Sequence, residues 1–570
     1  MKNDLFSNDC ITASHPSGLE ILARSLPIQA GKRLWFRIND IARPLLPVFH
    51  LFMLVVIGSV LCAIVFANQH IPCWGDEICM LDPAYYRATT GVWHSAAQWD
   101  SFETIPFAPN YPLFINFLRL FISWLGVNFW VLRGAMIVFG IIPVFMLLWF
   151  CRRKGLLQTG TDILYASFVS ACVTFFNWSV YLRPEALLLS VVTVLVFAWG
   201  GNRPVVLFLG ALLVPLCGLQ WNVLLLPVVL HWLIFGGRVR NPILVFSAFA
   251  VSSIATVIVY HTLGMWPSYL QEAARVGGLD VLHSALHKVR GALSAWNFGW
   301  LLNPVGFPPR FVIPAIAVLI LGCIQALAPA SRSSRKTIVF ICLSFASVIV
   351  GLSLASMNMH YPPVIILPVC LLVPFFLRTW LHRFPLFTVL LFCAALHCAK
   401  VNWDKISEFY PPRIDGLTEA RWLDEAALER VLEAELSPDD MPLATDSAWF
   451  AVRSRCRDMM PLCYAFDISG EQQKSITAVL LADEPSSILH KDGSGFRKTS
   501  YAKAMLARFC PPESPCDNPD DVRVSPEELL SAIGDHWHCT FTEIPLSQSS
   551  MNNAIHYRLF RPVFSCDAGT

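Results

Sequence analysis

LLPVFHLFMLVVIGSVLCAIVFA, residues 45–67, decides the fold, together with Trp74-Gly75-Asp76-Glu77 a few residues beyond it. The run holds no Asp, Glu, Lys or Arg. As a helix rising about 1.5 Å per residue it is long enough to cross a hydrocarbon layer of about 30 Å. Asp76 and Glu77 then sit just outside that layer, where a carboxylate is cheap to keep if wet and costly if buried. Two adjacent carboxylates favour holding a proton, which suits a group that must accept one from a reacting hydroxyl. Position alone fits a solvated loop pair equally well. The residues that follow favour chemistry: Tyr85, Tyr86, Trp93, His94, Trp99, Asp100 and Glu103 crowd one compact loop, and Pro109-Asn110-Tyr111-Pro112-Leu113 comes next.

Of the 570 residues, 55% are hydrophobic and 14% charged, with a mean hydropathy of +0.54. A soluble domain carries roughly 25% charged residues, so the chain is expected to be an α-helical polytopic membrane protein. The net charge of +2 says nothing about nucleic acid, and no basic patch with interleaved aromatics suggests one, so no nucleic-acid partner is expected. Residues 1–43 are polar and carry Lys2, Arg24, Lys32, Arg33, Arg37 and Arg43. This segment is too long and polar to be a cleavable signal, and the positive-inside rule places it in the cytoplasm.

A transmembrane domain is expected over 44–399, with outer loops at 68–126 and 264–310. Tyr111 to Leu125 is short for a span and interrupted by Arg119, so it reads as a juxtamembrane helix. The next span, Val127–Phe150, ends in Arg152-Arg153-Lys154, which belongs inside. Further spans follow at about 162–181, 184–200, 204–217, 220–236, 242–263, 311–328, 337–356, 361–377 and 384–399. Arg203, Arg238, Arg240, Arg332, Arg335, Lys336, Arg378 and Arg383 then all fall inside. The sum is about 11 transmembrane helices plus juxtamembrane helices, with the N-terminus cytoplasmic and the C-terminus outside. In the second outer loop Leu279, Leu282, Leu286, Val289 and Leu293 fall at helical spacing, opposite His283, His287, Lys288 and Arg290. That pattern describes an interfacial helix with a basic face, or a helix packed on the bundle.

From about residue 400 charges become dense and apolar runs short. Thr418 to Leu436 has helical periodicity. Ser525-Pro526-Glu527-Glu528 is a capping box with Pro at the first helical position, and Gly534 is expected to close that helix. Ile476–Leu481 and His556–Phe560 read as strands. Residues 400–570 are therefore expected to form an extracytoplasmic α/β domain. Of the 18 cysteines, Cys73, Cys79, Cys456, Cys463, Cys510, Cys516, Cys539 and Cys566 fall in outer segments. That is an even set in an oxidising compartment, and a Cys73–Cys79 bridge would fix the Asp-Glu loop. The cysteines lack the close pairing with His that a zinc site needs.

Three more places at outer span ends can converge on the first loop. Arg183 in Tyr181-Leu182-Arg183-Pro184-Glu185 can hold a phosphate bidentately or simply anchor a helix end. Gln220-Trp221-Asn222 is a weak signal. His360 and Tyr361 in Asn358-Met359-His360-Tyr361-Pro362 can add a donor or a cation. Arg133, at the start of the second span, is a fourth candidate cation.

In this order of features the chain resembles the GT-C superfamily of membrane glycosyltransferases: first span, outer Asp-Glu loop, Pro-Leu juxtamembrane helix, Arg-Pro-Glu turn, long outer loop, Tyr-Pro span start and outer tail. Within the superfamily it is similar to the protein O-mannosyltransferases, the lipid A aminoarabinose transferases and the RgtA-like bacterial sugar transferases. The resemblance covers about 1–400. It implies a transferase of the plasma (inner) membrane that moves a hexose or pentose from a polyprenyl-phosphate donor. The acceptor would be a hydroxyl of a glycan, lipid or protein on the outer face. It assigns catalysis to Asp76 with Glu77 beside it, and donor-phosphate binding to Arg183 and the His360-Tyr361 position, with Lys288 and Arg290 able to compensate. Many relatives have Lys-Pro-Pro where this chain has Pro109-Asn110-Tyr111-Pro112, and Arg-Tyr where it has His360-Tyr361. The chemistry needs a base for the acceptor and a cation for the departing phosphate. A divalent ion at Asp76 or Glu77 is compatible with the sequence but not demanded by it, and no other cofactor is expected. The competing readings are a transporter or flippase of a lipid-linked intermediate, and a non-catalytic membrane scaffold. Intramembrane charges and internal repeats, the marks of a transporter, are not evident.

Overall fold

The computed structural model describes residues 43–70, 75–95, 111–173, 182–201, 203–236, 239–275, 385–406, 424–482, 486–487, 523–546 and 556–564, with isolated positions between 336 and 381 and at 508. The expected span 311–328, most of 337–356 and 361–377, the basic face around Lys288 and Arg290, and His360 and Tyr361 lie outside them.

The first apolar run is helix α1, Leu46–His70. It buries Met53, Val60 and Ile64 along one line, at steps of seven and four residues. Elsewhere it exposes Leu51, Phe52, Leu54 and Val55. Such a continuous exposed apolar surface needs a non-aqueous surround. Among the described residues three helices are long and apolar enough to cross a membrane: Arg43–Val65 (a 3-10 turn running into α1), α4 at Phe129–Arg153 and α9 at Arg240–Thr262. Between these lie α2 (Gly75–Thr89), α3 (Pro112–Leu125), α5 (Gly160–Val173), α6 (Pro184–Gly201), α7 (Pro204–Leu213) and α8 (Leu225–Phe235), with α10 (Trp266–Arg275) and α11 (Pro385–Ile406) after them.

Two expectations change. Asp76 and Glu77 do not stand in a loop; they open α2, which also takes in Tyr85 and Tyr86. The spans expected at 204–217 and 220–236 are each a short α-helix joined to 3-10 turns, Pro215–Cys217 and Leu219–Leu224. A helix of α7's 10 residues rises about 15 Å, half of a hydrocarbon layer. Irregular backbone at such a depth survives only when protein covers it. Here Pro215, Cys217 and Trp221 are buried, and the first 3-10 turn packs on α3 and α9.

Helix α3 shows how the layer between bundle and tail is built. Phe114, Ile115, Leu118 and Ile122 form its buried stripe, while Leu120, Trp124 and Leu125 face out. Pro112 sits in its first turn, where a missing N–H costs nothing. Gly126 at φ 75° ends it and donates to the Ile122 carbonyl. The buried stripe joins α2, the start of α4 and residues of the tail in one core.

The tail begins with α12 (Glu425–Glu435) and carries a five-stranded sheet. In order, its strands are β2 (Met460–Pro461), β1 (Pro442–Ala444), β3 (Ala478–Ala482), β7 (Tyr557–Phe564) and β6 (Cys539–Ile544). β1 runs parallel to both β2 and β3, and β7 is antiparallel to β3 and β6. α13 (Trp449–Arg455) follows β1, α14 (Gly470–Ser475) precedes β3, and α15 (Pro526–Trp537) precedes β6. β4 (Ser486–Ser487) and β5 (Arg523–Val524) pair separately. Helix α15 carries the anticipated capping box, with Ser525 and Glu528 bonding reciprocally. Gly534 does not close it. The helix runs on to Trp537 and stops at His538, whose φ of 55° is left-handed. Gly534 serves packing instead, since a Cβ there would lie 2.8 Å from the Cys539 carbonyl. Among the outer cysteines, Cys456 and Cys539 are free thiols, and Cys73, Cys510, Cys516 and Cys566 lie outside the described residues.

Candidate active site at the outer helix ends

Glu77 is fully buried. One carboxylate oxygen accepts from Arg133 Nη2 at 2.7 Å and the other from the backbone N–H of Leu182, also at 2.7 Å. Arg133 is itself 1% exposed, with its guanidinium 4.5 Å from the centroid of the Phe129 ring. A buried ion pair repays its desolvation only when further hydrogen bonds complete it, and the Leu182 N–H supplies one. This knot ties α2 to the first turns of α4 and to the residue before the Arg-Pro-Glu turn. Asp76 occupies the preceding position, in the first turn of α2; its side chain lies outside the described residues. Adjacent helical positions lie about 100° apart around the axis, so the two acidic residues are not equivalent. A metal ion shared by both is a poor fit, because the Arg133 cation already stands where an ion bound by Glu77 would be. Among the described residues no cluster of His, Cys, Asp or Glu can hold a metal ion.

Arg183 follows directly. It is buried and donates from Nε and Nη2 to the two oxygens of Glu185, at 3.2 and 3.1 Å. Pro184 begins α6 and Glu185 lies in its first turn, where a negative charge complements the helix dipole. The structure thus brings together Glu77, Arg133, Leu182, Arg183 and Glu185, drawn from three helix starts. Arg133 is paired within this knot, and a phosphate at Arg183 must compete with Glu185. Asn222 donates to Ser253 Oγ at 3.4 Å, bridging the second 3-10 turn to α9.

Asp82, Trp449, Arg453 and Glu425, which the sequence reading did not single out, complete the surroundings. Asp82, on α2, is 1% exposed. It accepts from Arg453 Nη2 at 2.7 Å, Trp449 Nε1 at 3.2 Å and Ser95 Oγ at 3.3 Å. Arg453 lies 4.6 and 4.9 Å from the centroids of Tyr85 and Tyr86, and Nη1 donates to the Arg457 carbonyl at 2.6 Å. Tyr86 donates to Asp458 at 2.6 Å, and its burial pushes the phenol well above its usual range. Glu425, in the first turn of α12, is buried with neither oxygen hydrogen-bonded. Burial first, then Glu429, push its carboxyl up to about 8; Arg133 and the Ala451 N–H approach closely enough to oppose this. The available signal was a lone arginine in the apolar run Trp449-Phe450-Ala451-Val452-Arg453, which a buried helix tolerates only opposite an acid.

An apolar groove of about 290 Å³ runs between α3, α7 and α9, lined among others by Trp93, Asn116, Leu212, Thr256, Tyr260 and Met265.

Three solved structures are similar to the chain. ArnT from Cupriavidus metallidurans in the apo state is 11% identical over 75% of this chain and 92% of its own, with a TM-score of 0.43. The same protein bound to undecaprenyl phosphate is 13% identical over 76% and 93%, with a TM-score of 0.35. The archaeal oligosaccharyltransferase AglB from Archaeoglobus fulgidus, in complex with an inhibitory peptide and a dolichol-phosphate, is 12% identical over 81% and 72%, with a TM-score of 0.42. No protein-family model matches the chain, and no curated protein does.

Proposed function

We propose that the chain is a membrane glycosyltransferase that moves a sugar from a polyprenyl-phosphate donor to an acceptor hydroxyl on the outer face of the plasma membrane. One observation carries this reading: the two motifs singled out in the sequence meet, with Glu77 accepting from the N–H of Leu182, next to Arg183. Asp76 is then the base that takes the acceptor proton as its oxygen attacks the anomeric carbon. Glu77 holds the first turn of α2 in place rather than reacting. The bond from sugar to phosphate breaks as the new bond forms, and the departing phosphate carries its own charge, so a cation and not a strong acid is needed. Arg183 supplies that cation by exchanging Glu185 for phosphate, with Lys288, Arg290, His360 and Tyr361 as further candidate phosphate ligands. The groove between α3, α7 and α9 suits the lipid chain. The bond between Asp82 and Arg453 joins α2 to the tail, which supports reading both on the same, extracytoplasmic side.

The test uses the purified full chain in lipid nanodiscs with a panel of undecaprenyl-phosphate hexoses and pentoses and an envelope extract as acceptor. Release of undecaprenyl phosphate by the native protein, lost in a folded Asp76→Asn variant, is the expected result. Near-normal release by Asp76→Asn removes Asp76 from the mechanism, and no release from any donor overturns the reading.

A further inference from the structure

Helix α2 is gripped from two sides. Glu77 faces the bundle and is held by Arg133 and the Leu182 N–H. Asp82, five residues on and so about 140° round the helix, faces the tail and is held by Arg453 and Trp449. The tail grip is fully dry: Asp82, Trp449 and Arg453 are 1%, 0% and 3% exposed. It is also built for direction. Arg453 lies against the rings of both Tyr85 and Tyr86 of α2 and donates to the Arg457 carbonyl. Next to it, Phe450 of the tail meets the edge of Phe129 at 5.0 Å, and Phe129 is the ring that supports Arg133. The tail therefore reaches both attachments of α2: the acid that anchors the helix, and the Phe129 ring on which the arginine bonded to Glu77 rests. A domain fastened only to stay near the membrane needs neither contact.

We propose that Arg453 and Asp82 are positioning residues for sugar transfer, so that the C-terminal domain sets the orientation of α2, and with it Asp76, rather than binding donor. The inference rests on the transferase reading above. Buried charge pairs with extra hydrogen bonds fix one geometry at little net gain in stability, and misplacing a reacting group by an ångström is expensive in rate.

The experiment uses the full chain in nanodiscs and whichever panel donor it consumes. Variants are Arg453→Gln, Asp82→Asn, both together, and Arg453→Lys. Each single variant is expected to lower kcat per folded molecule about 10- to 100-fold, with affinity for undecaprenyl phosphate held within about twofold. The double variant should be no worse than the poorer single one. Arg453→Lys, which keeps the charge on Asp82 but not the bond to the Arg457 carbonyl, should recover part of kcat. Amide hydrogen exchange at residues 75–80 should quicken in step with the loss of kcat. Unchanged kcat in folded Arg453→Gln, or unchanged exchange at 75–80, overturns the proposal. If Arg453→Gln does not accumulate, Trp449→Phe, which deletes the indole N–H bond to Asp82 and trims the buried ring but keeps Arg453, carries the same test. If the native protein consumes no donor, the transferase reading fails, and the exchange result alone decides whether the tail positions α2.

Discussion

The two acidic residues of α2 make a useful comparison. Glu77 is bonded to a neighbouring helix start 56 residues away and to a backbone N–H 105 residues away. Asp82 is bonded to side chains 367 and 371 residues away, in the sheet-bearing tail. Both are buried and both face an arginine, but the consequences of losing them differ. Glu77 is part of how the bundle closes where α2, α4 and α6 begin. Asp82 is part of how the tail is held against α2.

The largest expected effect breaks the bundle side. Glu77→Ala leaves Arg133 buried without its counter-ion and the Leu182 N–H without an acceptor, at a cost of about 3–5 kcal/mol. The variant should lose most of its folded yield, read by size-exclusion profile and thermal midpoint in detergent. Asp82→Ala should keep the midpoint of the bundle while limited proteolysis releases the tail. Equal global loss in both variants would erase the distinction between closing and docking.

The Arg183–Glu185 pair sharpens the bundle side. It is bidentate and dry, at 5% and 1% side-chain exposure. Removing either partner alone should destabilise, and removing both should cost less than the sum, because no lone charge remains. Glu185→Gln should tighten undecaprenyl phosphate binding if phosphate and Glu185 compete for Arg183. Weaker or unchanged binding in a folded Glu185→Gln protein would assign Arg183 to structure alone.

Glu425 tests the docking side through pH. An unfolded chain releases this proton near pH 4.5, whereas burial, with Glu429 and Asp424 adding to it, keeps the folded carboxyl protonated up to about 8 against the pull of Arg133. Between those values the folded state binds more protons, so stability falls as pH rises through the window and is greatest below it. Glu425→Gln removes the slope and should stabilise the protein at pH 8 by up to about 4 kcal/mol. The check is the thermal midpoint at pH 5 and pH 8 in both proteins; an undiminished difference in Glu425→Gln would assign the slope to other groups.

Much of this was written locally. The apolar runs that became α1, α4 and α9 are long, charge-poor and flanked by arginines. The stripe of α3 and the capping box of α15 are short-range patterns with direct physical causes. Helix α2 was harder. Pro83 and several polar residues break its look, yet Ile78, Leu81 and Tyr85, spaced three and four apart, are all buried; that period was visible and outweighed by the carboxylates. The pairings were not legible. Nothing in the sequence near residue 82 names residue 453, because an ion pair records complementarity and not address. Arg133 was visible only as a spare cation, and its partner emerged once α2 was a helix. The limits of α7 and α8 were hidden because an apolar run reads alike whether it spans or bends.

The smallest expected effect comes from a pair of the same chemistry in a wet place. On the sheet, Arg558 donates to Glu543 at 2.7 Å and also meets Glu527, linking β7 to β6 and to the start of α15. Both acids are about half exposed or more, at 47% and 62%. The Arg558 side chain holds their carboxyls below the usual range. Water and salt screen such contacts, so Arg558→Ala should cost no more than about 1 kcal/mol. That loss should shrink further in high salt. With folded carboxyl values depressed, whatever the network contributes is present at neutral pH and fades as the acids protonate below about pH 4. Thermal midpoints of the native protein and Arg558→Ala at two salt concentrations give the measurement. A loss as large as that of Asp82→Ala would mean that position in the sheet, and not burial, sets the worth of an arginine–carboxylate contact in this domain.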